Sequence, residues 1–185
     1  MIYILTGIAK SGKTLIANEV IKRISIPLFS TDYIMMMLSR GNKDLGIDVE
    51  ASDSVVSKQL EPYIEGLLKT IIENKVDYLI EGVHFNPDFA KKLMDHFPHD
   101  IKVLFLGYKN IGIKDKEEEL LKYKDATENP WYLSHKGKEL TKLVSYLIKE
   151  STRVYDLCKM YDLDYIEVHN ISVQKDDIIN KLMKE

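Results

Sequence analysis

Short apolar runs alternate with longer amphipathic segments along the chain. Five runs are apolar over most of their length, as expected of strands covered on both faces: Ile2–Leu5, Ile26–Phe29, Tyr78–Glu81, Val103–Leu106 and Tyr165–Val168. The segments between them predict helices at Lys13–Ile24, Tyr33–Ser39, Ser54–Asn74, Asp88–Asp95, Lys114–Lys122, Lys136–Met160 and Gln174–Lys184. Pro62 lies inside the third of these and predicts a kink or a restart there. Alternating strands and helices predict a three-layer α/β/α fold with a five-stranded parallel sheet.

The first strand leads directly into a glycine-rich loop. Gly7-x-x-x-x-Gly12-Lys13-Thr14 fits the phosphate-binding loop pattern at every required position, with a strand before it and helical residues after it. The glycines let the backbone N–H groups form a concave anion site, Lys13 reaches the outer phosphates, and Thr14 offers a hydroxyl to Mg²⁺. A chance match is the alternative. The predicted nucleotide-binding residues are Gly7, Ile8, Ala9, Lys10, Ser11, Gly12, Lys13 and Thr14.

Composition narrows the class of protein. The 185 residues suit one domain spanning 1–185. A net charge of −3 argues against nucleic acid as the main ligand. We expect neither a signal peptide nor a membrane-spanning segment, because the apolar runs are short. The single cysteine, Cys158, excludes an internal disulfide and favours the cytoplasm.

Asp32 follows the second predicted strand. Ligands of open α/β sheets collect at the carboxyl ends of strands, so Asp32 is expected to face the crevice beside the phosphate loop. A dinucleotide site is excluded, because its G-x-G-x-x-G pattern is missing. Asp32 is predicted to accept a proton from an acceptor hydroxyl or to order the waters of Mg²⁺; the alternative is a helix N-cap. Arg40 is a candidate clamp for an anionic acceptor group, or a surface residue.

Glu81 ends the third strand. A buried carboxylate is costly without a partner, and Mg²⁺ bound through a water is the predicted one. His84 is a candidate contact to the acceptor, with a satisfied loop histidine as the alternative. The catalytic candidates are therefore Lys13, Asp32 and Glu81, the acceptor-binding candidates Asp32, Arg40 and His84, and the metal candidates Thr14 and Glu81.

Residues 108–135 do not follow the regular alternation of predicted strands and helices. This segment is rich in Lys, Asp and Glu, contains Asn129-Pro130, and holds the only tryptophan, Trp131. A mobile lid and a solvated surface helix with an anchored loop are equally compatible with it.

Gly7-Ile-Ala-Lys-Ser-Gly-Lys-Thr14, Ser30-Thr-Asp-Tyr-Ile34 and Tyr78-Leu-Ile-Glu-Gly-Val-His84 together resemble the P-loop small-molecule kinases, and within them the 2-phosphoglycerate kinase type. The resemblance covers residues 1–106. Such kinases usually place several arginines in the lid, whereas residues 108–135 contain none. Lysines there, with Arg153, would have to replace them. Many such kinases have glycine where Lys10 stands, so its charge lies over the phosphates or faces solvent.

The resemblance implies an ATP- and Mg²⁺-dependent phosphotransferase that acts on a small molecule, at a hydroxyl group. Either Asp32 or Glu81 would be the base. A nucleoside or nucleotide kinase is one alternative. Another is a nucleotide-binding module or slow NTPase acting as a switch, although no separate partner domain and no switch motif is evident. We expect a monomer or a homodimer.

Overall fold

The chain forms a single parallel sheet. The structure, a computed structural model, describes residues 1–124 and 130–184. The strands are β1 (Ile2–Gly7), β2 (Leu28–Ser30), β3 (Tyr78–Glu81), β4 (Ile101–Gly107) and β5 (Tyr165–Glu167). Their order across the sheet is β2-β3-β1-β4-β5, and all neighbours pair in parallel. The predicted three-layer fold is confirmed, with β1 at the centre.

All predicted helices are present, and capping explains where two of their ends differ. The helices are α1 (Lys13–Arg23), α2 (Thr31–Gly41), α3 (Asp53–Glu73), α4 (Pro87–His96), α5 (Ile113–Lys122), α6 (Lys138–Met160) and α7 (Ile171–Met183). Helices α2 and α7 begin earlier than predicted, because the side chains of Ser30 and Asn170 accept hydrogen bonds from the first turn. Strand β2 begins later, after Pro27, which has no N–H for the ladder. No helix in the described residues is both long and apolar enough to cross a membrane.

Pro62 does not interrupt α3, which runs unbroken from Asp53 to Glu73. The predicted restart is therefore wrong. Pro62 and Lys58, whose carbonyl group loses its usual N–H partner, are both exposed, so water can replace the missing hydrogen bond.

Two apolar layers cover the faces of the sheet. One face packs against α3, α4 and α6 through residues that include Ile4, Ile80, Val103 and Phe105. The other packs against α1 and α7 through Leu5, Leu79, Leu104 and Leu106. A one-residue slip would exchange the two faces, so this alternation fixes the register. The register in turn sets the carboxyl ends of β1, β2 and β3 at one edge, where the candidate residues follow.

A smaller apolar cluster joins α5 and α6 to a short 3₁₀ helix at Trp131–Ser134. It consists of Leu120, Tyr132, Leu140 and Val144, and the Tyr132 hydroxyl donates to the Leu120 carbonyl at 2.9 Å. Part of the predicted lid, residues 125–129, lies outside the described residues. The part of the segment around Leu120 and Tyr132 is thus tied to α6 through this separate cluster, whereas Tyr108 belongs to the main core.

Candidate active site

Two glycines allow the loop after β1 to fold back on itself. Gly7 has a φ of 114° and Gly12 a φ of 91°. A Cβ atom at Gly7 would lie 2.0 Å from the Leu106 carbonyl oxygen, and one at Gly12 would lie 2.7 Å from the Ile171 side chain. Both positions therefore require glycine. Helix α1 begins at Lys13, so its unpaired N–H groups face the loop.

Lys13 is folded against the loop. It is only 6% exposed, and its Nζ donates to the Ile8 carbonyl at 2.7 Å. Burial lowers the pKa of Lys13 to about 8, although the carboxylates of Glu81, Asp53 and Asp32 favour its charged form. A bound phosphate would give Lys13 a close partner of opposite charge. The charged form of Lys13 is therefore more stable with a phosphate in the loop than without one.

Ser11 carries a second signal for an anion. It is 2% exposed, and its hydroxyl has no hydrogen-bond partner within residues 1–124 and 130–184. Leaving such a group unsatisfied costs about 1–3 kcal/mol. A phosphate oxygen could accept from it. The unsatisfied hydroxyl, the glycine-lined concavity and the buried lysine together fit a polyphosphate.

Thr14 and Glu81 meet at the start of α1. Thr14 Oγ1 donates to Glu81 Oε2 at 3.3 Å. Glu81 ends β3, pairs in register with Leu5 of β1, and is buried. Hydroxyl and carboxylate oxygens are the hard donors that Mg²⁺ takes, together with phosphate oxygens and water. This pair therefore fits the ion, and these two residues would hold it.

Asp32 lies at the exposed start of α2, and His84 lies behind it. The Asp32 side chain is 64% exposed, and its Oδ1 is 3.7 Å from Nδ1 of the buried His84. The same Nδ1 is 2.9 Å from the Thr31 hydroxyl. Burial lowers the pKa of His84, while the Asp32 carboxylate opposes this shift. The structure thus brings His84 to Asp32 and Thr31, in a buried position.

Gly82 makes this contact possible. Its φ is 151°, and a Cβ atom there would lie 1.8 Å from the Thr31 hydroxyl oxygen. The chain after β3 therefore passes directly against the first turn of α2. Glycine is required at this position for space as well as for conformation.

Arg40 is not brought to this group. It lies exposed near the end of α2, about 12 Å along the helix from Asp32 at 1.5 Å per residue. Neither Arg40 nor Asp32 is among the described residues that line the crevice beside the loop, although Asp32 lies close enough to Asp53 of its lining to affect the pKa of that residue. The role of Arg40 as an anion clamp stays a prediction.

That crevice contains polar residues, of which the sequence indicated only Arg153. Its walls come from Gly7 and Ile8 of the loop, from the segment after β3, and from α3 and α6, and its polar and charged lining residues include Asp53, Asn86, Tyr146, Glu150 and Arg153. Asp53 is accessible to solvent, yet the surrounding protein removes enough hydration to raise its pKa, and Asp32 and Glu150 raise it further. In the sequence, Asp53 looks like an ordinary residue of a helix first turn. Only the folded structure shows that Asp53 lies close to the phosphate loop and could belong to a site.

The segment after β4 clamps the phosphate loop. The Tyr108 hydroxyl donates to the Ala9 carbonyl at 2.7 Å. Lys116 is 2% exposed, and its Nζ donates to the Lys10 carbonyl at 3.0 Å. The same ammonium group pairs with Glu119 at 2.7 Å and lies 3.9 Å from the centre of the Tyr108 ring.

The side chain of Lys10 turns toward the predicted lid. Its Nζ lies 5.7 Å from the ring centre of Trp131 and 5.2 Å from that of Tyr132. Burial lowers the pKa of Lys10, and Asp32 opposes the shift. The charge of Lys10 therefore lies between the loop and the aromatic residues of the segment.

Comparisons with known proteins agree with this architecture. No protein-family model and no curated protein matches the chain. Among solved structures, shikimate kinase from Bacteroides thetaiotaomicron aligns with a TM-score of 0.59 at 17% identity, over 100% of this chain and 97% of that one. The chain has the fold of a P-loop kinase.

Two further structures extend the similarity to other kinases. A gluconokinase from Sinorhizobium meliloti 1021 aligns with a TM-score of 0.55 at 11% identity, over 98% of this chain and 88% of that one. Deoxyadenosine kinase from M. mycoides with bound dATP aligns with a TM-score of 0.52 at 15% identity, over 98% of each chain. At these identities the similarity establishes the fold alone.

Proposed function

We propose that this chain is an ATP- and Mg²⁺-dependent phosphotransferase that moves the γ-phosphoryl group of ATP to a hydroxyl group of a small molecule. The observation that carries the proposal is a juxtaposition. The phosphate loop, the Thr14–Glu81 pair at 3.3 Å and the exposed Asp32 carboxylate lie at one edge of the sheet. Beside them is the crevice lined by Asp53, Glu150 and Arg153, which we call the acceptor crevice. Such an edge can hold a donor and an acceptor side by side.

Different residues of the site would bind the phosphates, hold the metal ion and accept the proton. The loop N–H groups, the Ser11 hydroxyl and Lys13 would bind the β- and γ-phosphates, and Thr14 and Glu81 would hold Mg²⁺, which supplies charge neutralisation. The acceptor oxygen forms a bond to the γ-phosphorus as the bond from that phosphorus to the bridging oxygen of ADP breaks. ADP leaves with the electron pair, and the hydroxyl proton passes to Asp32.

Asp32 suits the role of base better than Glu81 does. Glu81 is buried and is engaged by the Thr14 hydroxyl. Asp32 is open to the solvent side, where an acceptor would enter, and His84 Nδ1 lies 3.7 Å from its carboxylate oxygen. His84 then acts on Asp32 as a positioning residue through Thr31, whose hydroxyl lies 2.9 Å from the same ring nitrogen in the first turn of α2.

The resemblance to the 2-phosphoglycerate kinase type supports transfer to a hydroxyl group, and we extend it to the reaction class only. A cytoplasmic location fits the composition, whose single cysteine, Cys158, is buried and unpaired.

The test is transfer of the γ-phosphate from labelled ATP to compounds of a deproteinised cell extract. We expect an acceptor-dependent labelled product. Asp32→Asn should lower turnover by roughly 10²–10⁴-fold, the usual contribution of a general base, with nearly unchanged ATP affinity. Asp44→Asn, which removes an exposed carboxylate in the short 3₁₀ helix after α2, is the control.

Lys13→Ala should weaken ATP binding itself, because it removes the buried cation of the loop. ATP hydrolysis that no compound stimulates would favour a nucleotide switch instead. An unchanged rate in Asp32→Asn would exclude Asp32 as the base, and intact ATP binding in Lys13→Ala would contradict the assignment of the loop.

A further inference from the structure

Among the residues that the structure describes, Arg153 is the one cationic residue that lines the acceptor crevice, and it already has a carboxylate partner. Arg153 Nε donates to Glu150 Oε2 at 2.8 Å, one turn apart on α6. Both residues line the crevice. An anionic group could still reach the Nη groups of the guanidinium, but it would lie close to the Glu150 carboxylate, which repels it. Arg153 is therefore a weaker anchor for a phosphate or carboxylate group on the acceptor than an unpaired arginine would be.

The remaining charged residue that the structure describes in the crevice is acidic. Asp53, at the start of α3, lines the crevice and forms no ion pair among the described residues. Asp32 and Glu150 lie close enough to raise its pKa, and of the neighbouring cations Lys13 opposes them. Once Lys13 holds the phosphates of ATP, its charge is no longer available to the acceptor side. The carboxylates there then outnumber the guanidinium.

The uncharged residues of the crevice also suit an acceptor that carries no negative charge. Tyr146, which is exposed, adds a hydroxyl to the lining, and Asn86 is buried with its amide nitrogen donating to the Ser54 carbonyl at 3.0 Å. Val83 and Phe85 add an apolar wall. Such a surface suits hydroxyl and amine groups, which can donate to the carboxylates.

We propose that the crevice selects an acceptor alcohol that is neutral or bears an amine, and that it disfavours phosphorylated and carboxylated alcohols. This inference rests on the proposed kinase function and names the acceptor class of the same site. It departs from the 2-phosphoglycerate kinase resemblance, whose acceptor is an anion. It also excludes nucleotide acceptors, which carry phosphate.

The first experiment separates small molecules by charge. A deproteinised cell extract is passed over an anion exchanger and a cation exchanger, and the two retained pools and the flow-through are assayed for γ-phosphate transfer from ATP. We expect the labelled product in the cationic pool or the flow-through. An acceptor found only in the anionic pool would overturn the inference while leaving the kinase proposal intact. If the unfractionated extract yields no product, the kinase proposal fails, and the inference fails with it.

The second experiment removes the carboxylate that pairs with Arg153. Glu150→Gln removes the charge that neutralises it, so transfer to the anionic pool should rise about tenfold relative to transfer to the other pools, the effect of roughly one charge interaction near a protein surface. Glu139→Gln removes the same charge from an exposed position of α6 and should leave the ratio unchanged. An unaltered ratio in Glu150→Gln, or equal changes in both variants, would refute the role of the pair.

Discussion

Replacing Lys116 by methionine should weaken ATP binding while leaving the free energy of unfolding nearly unchanged. The ammonium group of Lys116 connects helix α5 to the Lys10 carbonyl of the phosphate loop at 3.0 Å. Lys10 itself is held at a φ of 60°, a left-handed conformation that costs a residue with a side chain about 1–3 kcal/mol. The hydrogen bond helps to keep the loop in that conformation.

The contributions to global stability nearly cancel. Methionine would lose a hydrogen bond from a charged donor, about 1.5–3 kcal/mol, and a cation–π contact with Tyr108 of about 2 kcal/mol. It would also avoid the burial of a charge, which costs several kcal/mol. Glu119, whose side chain is 36% exposed, can be rehydrated. We therefore expect a net change in the free energy of unfolding within about 1 kcal/mol, on these figures.

The effect on the loop is not cancelled in this way. Without the hydrogen bond, Lys10 would leave the left-handed conformation for part of the time. The apparent affinity for ATP would then fall in proportion to the fraction of molecules whose loop is still in the binding conformation. A loss of 1–2 kcal/mol corresponds to roughly 5–30-fold in the dissociation constant.

Calorimetric titration with ATP and denaturant unfolding measure the two quantities separately. Lys69→Met, at a lysine of α3 whose side chain is 68% exposed, is the control. Lys10→Gly removes the conformational cost, so Lys116→Met should matter much less in that background. The reasoning is refuted if Lys116→Met leaves ATP affinity intact, or if it weakens affinity equally in both backgrounds.

Two further outcomes test the geometry around the loop. Gly82→Ala should destabilise the fold by more than about 2 kcal/mol, because its Cβ would lie 1.8 Å from the Thr31 hydroxyl. The control is Gly66→Ala in α3, where a Cβ meets nothing within 4 Å, and this change should stabilise the fold slightly. Urea unfolding measures the free energy of unfolding of both variants. The free energy of unfolding without nucleotide should rise between about pH 8 and 10.5, because burial lowers the pKa of Lys13 from 10.5 to about 8 and the unfolded chain then binds more protons. Lys13→Met should lack this rise, which is at most about 3 kcal/mol, and a rise of equal size in that variant would assign it to other groups.

The strand–loop–helix arrangement at residues 2–23 and the sheet could be predicted because their signals are local. Gly7, Gly12 and Lys13 lie within a few residues of each other, and the strand that precedes them is a continuous apolar run. The positions of Asp32 and Glu81 followed from the rule that parallel strands end at one edge, and the register Leu5↔Glu81 and Ser30↔Glu81 places them there.

The acceptor crevice could not be predicted, because its residues are distant in sequence and ordinary in their local context. Asp53 and Glu150 both belong to amphipathic helices, where carboxylates usually face water. Lys116 belongs to a run of charged residues that resembles a solvated helix. Its burial depends on Glu119 one turn away and on the Tyr108 ring, contacts that only the folded chain reveals.

The contact between the second and third motifs bears on how Asp32 could act as a base. Gly82 allows the chain to pass against Thr31, and this places His84 Nδ1 behind Asp32. Burial lowers the pKa of His84 and favours its uncharged ring, although the Asp32 carboxylate opposes this shift. A protonated imidazole would stabilise the ionised carboxylate and weaken it as a base, whereas an uncharged ring beside it does not oppose its protonation. His84 therefore supports Asp32 through its hydrogen bond to Thr31 in the first turn of α2.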